Sequence, residues 1–171
     1  GKALGNGYAI TAIIGRCEIM EAAQTSFISS TFWTERIGPT AALKTLEIME
    51  RDKSWETITD IGGQVAKRWK SLADDFGLSL TTNGLPAISS FGFDSPNALE
   101  YKTLITQEML KKGYLASNVF FSSTQHSADI LDGYFDTLNP VFDLIRQCED
   151  GLDVKSLLDG PVCHAGFKRL N

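Results

Sequence analysis

Near the start of the chain one residue has neighbours suited to covalent chemistry. Lys2 lies within Gly1-Lys2-Ala3-Leu4-Gly5-Asn6-Gly7, where glycine and alanine take most of the positions. A primary amine condenses with an aldehyde to a Schiff base, and a planar ring aldehyde reaches that amine only where backbone rather than bulky side chains lies alongside. Taken alone, the same pattern also describes a solvated lysine in a flexible loop. A second group spans residues 26–34, where Ser29, Ser30, Thr31 and Thr34 alternate with Phe27, Phe32 and Trp33. No clean period runs through it, so it reads as a loop; its aromatics suit either a substrate pocket or packing at a subunit interface. His126, just ahead of an expected helix start, suits a structural hydrogen bond better than catalysis. His164 beside Cys163 only looks like a metal pair, because two further ligands at suitable spacing are missing.

The composition narrows what these groups can serve. The chain has 171 residues, 43% of them apolar, with 16 basic against 21 acidic side chains and a formal charge of −5. That supports a globular core and excludes collagen, coiled coil and disordered polymer. Nucleic-acid surfaces need clustered Lys and Arg, whereas Lys67, Arg68 and Lys70 are followed at once by Asp74 and Asp75, as on a solvated helix face. No run approaches the roughly 18 apolar residues of a membrane span. Three cysteines, Cys17, Cys148 and Cys163, fit neither a disulfide framework nor a paired zinc site, and reduced thiols in a cytoplasmic protein are expected.

The elements that would position these residues alternate between strand and helix. Residues 8–15 are β-branched, apolar and bounded by glycines, and read as a buried strand, followed by a short helix over residues 16–24. Leu43, Leu46 and Met49 step at helical spacing, with Pro39 near the helix start. The clearest pattern is Ile58, Ile61, Val65, Trp69, Leu72 and Phe76, one apolar stripe with Ser54 as its N-cap and Gly77 as its stop. Residues 78–82 and 87–93 read as strands around an Asn83-Gly84-Leu85-Pro86 turn. A helix then runs from Ser95-Pro96 to Lys112-Gly113, a third strand spans residues 114–121, and a last helix starts near Ser127 with a kink at Pro140. Together they make an α/β sandwich, with a boundary near residue 53.

Gly1, Lys2, Ala3-Leu4-Gly5, Asn6 and Gly7 resemble the end of the signature of the class III pyridoxal-phosphate-dependent aminotransferases, in particular the glutamate-1-semialdehyde aminomutase-like branch. Thr31, at its distance from Lys44-Thr45-Leu46, matches the family's phosphate threonine. Leu110 to Tyr114 and Ser123 to Ser127 follow the order of its small C-terminal domain. The resemblance implies the C-terminal part of a fold type I enzyme. Residues 1–53 would end the large cofactor-binding domain, and residues 54–171 would form the small α/β domain.

It further implies that Lys2 holds pyridoxal 5'-phosphate as a Schiff base and later acts as general base and acid. Thr31 would reach the cofactor phosphate of a neighbouring subunit, in a homodimer with a shared active site. The reaction would transfer an amino group between a small-molecule donor and a carbonyl acceptor. Residues 118–123 contain no Glu where the true aminomutases carry an acidic residue, which weighs against glutamate-1-semialdehyde as substrate. Thr34-Glu35-Arg36-Ile37-Gly38 replaces the Gly-Asn-Pro common after the threonine.

The carboxylate, phosphate loop and stacking aromatic of the family lie upstream of its lysine, so the chain alone is expected to capture cofactor weakly and not to turn over. The alternative is a folded interaction or dimerisation module without cofactor. Residues 8–15 are expected to be disordered or paired with a second copy in isolation, because their sheet neighbours would lie upstream.

Overall fold

The computed structural model describes residues 2–166. The chain divides into two compact units, Gly1–Ser54 and Trp55–Asn171.

In the first unit, helical turn α1 (Lys2–Gly5) ends where Asn6 and Gly7 take positive φ values of 45° and 103°. Residues 9–16 then run without helix or strand. This corrects the strand expected over residues 8–15 and the lysine strand of the first domain. A buried strand needs hydrogen-bonded neighbours and cover on both faces, and the described residues of this unit contain no strand to pair with. Its apolar side chains are left in the open, with Ile13 70% and Ile14 91% exposed.

A short helix α2 (Cys17–Met20) passes into a 3-10 turn, Glu21–Thr25, and the unit ends in α3 (Ile37–Asp52). The Glu35 carboxylate starts α3 by accepting the N–H groups of Ile37 (2.5 Å) and Gly38 (3.2 Å). Pro39 follows in the first turn, where its missing N–H costs least. Gly38 is required by close approach, since a Cβ there would sit 2.6 Å from the carbonyl oxygen of Ala9. Lys53, with φ of 46°, closes the helix by donating its N–H to the Met49 carbonyl.

The second unit is a three-stranded antiparallel sheet with helices packed on it. Helix α4 (Ser54–Asp75) carries the expected stripe, burying Ile61, Val65, Trp69 and Leu72, and stops where Gly77 adopts φ of 62°. Strands β1 (Leu80–Leu85), β2 (Ile88–Phe93) and β3 (Val119–Phe121) lie in the order β1-β2-β3. Helix α5 (Ala98–Lys111) joins β2 to the β3 approach. Helix α6 (Ala128–Glu149) starts at Ser127, whose hydroxyl accepts the Ile130 N–H, and runs through Pro140 as one helix.

Leu85 pairs with Ile88, so the hairpin loop is Pro86-Ala87, three residues later than the Asn83-Gly84 pair suggests. Gly84 still takes a positive φ of 92°, but inside the strand, where a Cβ would lie 2.4 Å from the Ile88 carbonyl oxygen. The hairpin tip closes on α4 at Gly62: a Cβ there would lie 1.6 Å from the Pro86 carbonyl oxygen. The hydroxyls of Ser89 (3.2 Å) and Ser122 (3.1 Å) donate to that same oxygen.

β3 is shorter than its apolar run. Asn118 exchanges backbone and side-chain hydrogen bonds with Phe91 (3.0 and 2.8 Å), while Tyr114 leaves the sheet direction to pack edge-on against Tyr134.

Trp69, Tyr101, Leu104, Leu138 and Phe142 are fully buried, each contributing about 1.5–3 kcal/mol by withdrawal from water. Trp69 also donates its indole N–H to the Tyr134 hydroxyl at 2.9 Å, which satisfies a donor that no water reaches.

Candidate functional site

Lys2 is the first described residue of the motif; Gly1 lies outside the described residues. The Lys2 side chain is exposed on α1, with the left-handed Asn6 and Gly7 turn just beyond it. Behind the turn Gly5 is buried, and a Cβ there would come within 2.9 Å of Ile10 Cγ2. The small residues beside the lysine therefore have a local packing role as well as leaving the amine open.

Thr31 is exposed in the turn over residues 31–34. That turn is fastened by Ser30, whose hydroxyl accepts the Phe32 N–H at 3.1 Å, and by the Glu35 N–H, which donates to the Phe32 carbonyl at 3.3 Å. Residues 9–13 and 28–33 face each other across a cavity of about 440 Å³, lined among others by Ile10, Ser30, Phe32 and Trp33. Neither Lys2 nor Thr31 lines it.

A ring aldehyde carrying a phosphate needs three things: an amine, a carboxylate to hold the ring nitrogen protonated, and free N–H groups for the phosphate. Lys2 meets the first requirement, being a primary amine open to solvent beside small residues. The start of α3 does not meet the third, because Glu35 already takes its N–H groups and Pro39 has none. Thr31 brings a hydroxyl without such a cradle. The chain's own residues thus fit the bond to the aldehyde and one phosphate contact.

Of the other groups singled out by residue type, His126 and Cys163 make structural contacts. His126 Nδ1 accepts the Ser123 N–H at 3.1 Å, and its ring packs 4.7 Å from Phe120, which fastens the loop leading into α6. Cys163 donates its backbone N–H to the Thr103 hydroxyl at 3.0 Å, and the described residues hold no group of His, Cys, Asp and Glu placed for a metal. All three cysteines are free thiols.

One polar cluster escaped the sequence reading. Glu149 accepts hydrogen bonds from the Tyr101 hydroxyl (2.6 Å) and the Ser95 hydroxyl (2.7 Å), tying the end of α6 to the start of α5. These bonds hold the Glu149 carboxyl below its ordinary range, while burial and the same carboxylate push the Tyr101 phenol up. Burial likewise pushes Tyr134 up to about 12, offset in part by the Trp69 bond. Its three members are far apart in sequence, so no local motif marks it.

No protein-family model matches the chain. It is 33% identical over 127 residues to a 3-aminobutyryl-CoA aminotransferase from Cloacimonas acidaminovorans, covering 74% of this chain and 30% of that protein. The chain is a relative of the class III aminotransferases. A glutamate-1-semialdehyde 2,1-aminomutase from Hyperthermus butylicus is 24% identical over 163 residues, covering 85% of this chain and 38% of the relative. An aminopentol aminotransferase from Sphingopyxis macrogoltabida is 30% identical over 84 residues, 49% of this chain and 20% of that one.

The solved structure of the internal aldimine form of the FumI protein of Sphingopyxis sp. MTA144 aligns with a TM-score of 0.75 at 21% identity, over 91% of this chain and 38% of that one. The fold is accordingly the α/β fold of a fold type I aminotransferase, in part. The chain spans about a third of the length of these two curated relatives, the 3-aminobutyryl-CoA aminotransferase and the aminomutase.

Proposed function

We propose that this chain carries part of a pyridoxal-phosphate-dependent enzyme that transfers an amino group between a small amino acid, amine or semialdehyde and a carbonyl acceptor. The observation that carries the reading is the exposed Lys2 amine at a glycine-lined turn, in a chain 33% identical to an aminotransferase. Pyridoxal phosphate, when bound, supplies an electron sink for the substrate carbon that loses its proton.

Lys2 Nζ would hold pyridoxal phosphate through its aldehyde carbon and would be released from it by the substrate amine. Released from the aldehyde, the amine would move the proton between the substrate carbon and the cofactor, acting first as base and then as acid. Thr31 donates its hydroxyl to the phosphate, and in this reading it serves the site of the neighbouring subunit of a homodimer. Residues 1–53 belong to the cofactor-binding domain and residues 54–171 form the small domain.

A cytoplasmic setting agrees with three free thiols, and among the described residues no helix is long and apolar enough to cross a membrane. A second reading, an interaction module without cofactor, draws on the apolar surface of the first unit, where Ile14, Phe27 and Trp33 stand exposed.

The two readings separate on mixing the chain with pyridoxal phosphate and recording its absorption. The first gives a weak protonated Schiff-base band that Lys2→Ala removes, without turnover by this chain alone. No band under any condition, together with concentration-dependent self-association, supports the second.

A further inference from the structure

We draw no further inference here: the strongest candidate, the apolar row Leu85, Ile88 and Phe121 across the face of the three-stranded sheet opposite the core, with the cavity between Leu115 and His126 at its edge, is an unpartnered apolar face, and nothing in the structure shows what covers it.

Discussion

Replacing Gly62 by alanine tests how the second unit is assembled. Gly62 is buried in α4, and the added Cβ would meet the Pro86 carbonyl oxygen at 1.6 Å and its carbon at 2.5 Å, against a practical lower limit of 3.0 Å. Helix and hairpin tip must therefore separate by more than an ångström. That movement also breaks the bond that the Ser89 hydroxyl donates from the hairpin to the Gly62 carbonyl of α4 at 3.4 Å. Overpacking of this kind costs about 1–3 kcal/mol, and the one lost buried hydrogen bond costs on the order of 1 kcal/mol more.

Alanine's better helix propensity returns only about 1 kcal/mol. The neighbouring Gly63 is the internal control, because a Cβ there meets nothing within 4 Å. Gly62→Ala is expected to destabilise by about 2 kcal/mol net, while Gly63→Ala stabilises by roughly 0.5–1 kcal/mol. For a domain of this size each kcal/mol moves the melting temperature by roughly 3–6 °C. Thermal unfolding followed by circular dichroism reads both variants. A Gly62→Ala protein as stable as Gly63→Ala would refute the packing of the hairpin on α4.

Two further predictions concern polar side-chain contacts of the second unit. Tyr134→Phe removes the acceptor of the Trp69 indole N–H without opening a cavity, so it should cost about 1–3 kcal/mol in chemical denaturation; an unchanged denaturation midpoint would show that the bond contributes nothing. The Glu149 carboxyl titrates lower in the folded chain than unfolded, because Tyr101 and Ser95 donate to its charged form. Its contribution is therefore fully present above the unfolded value of about 4.3 and lost as the pH falls through the lower folded one. Stability measured from pH 6 to pH 3 should fall less steeply in Glu149→Gln than in the parent; parallel curves would remove Glu149 from the account.

What the sequence makes legible follows from where the forces are local. The 3- and 4-residue spacing from Ile58 to Phe76 marks α4 because one face of a single helix is buried, and the glycine stop at Gly77 needs no tertiary partner. The hairpin is different. Asn83-Gly84 carries the local turn preference, yet the loop forms at Pro86-Ala87, where Gly62 lets the carbonyl of Pro86 approach α4, a contact that 23 intervening residues hide from any local pattern. Residues 8–15 have the composition of a buried strand and lack a neighbouring strand among the described residues of their unit, so composition alone misplaces them. At the site, the small residues beside Lys2 show in the sequence, whereas the helical turn α1 that carries it replaces an expected strand. The capping of α3 by Glu35, which closes that helix start to a phosphate, shows only in the coordinates.

The central claim is that Lys2 is the amine that bonds the cofactor. Its most direct measurement is to mix the chain with less than one equivalent of pyridoxal phosphate, reduce the Schiff base with borohydride and map the labelled lysine by peptide mass spectrometry. The account predicts label concentrated on the peptide containing Lys2 and absent there in Lys2→Ala, with no other lysine taking its place. Label spread over exposed lysines such as Lys44 and Lys70, with none favoured, would contradict it.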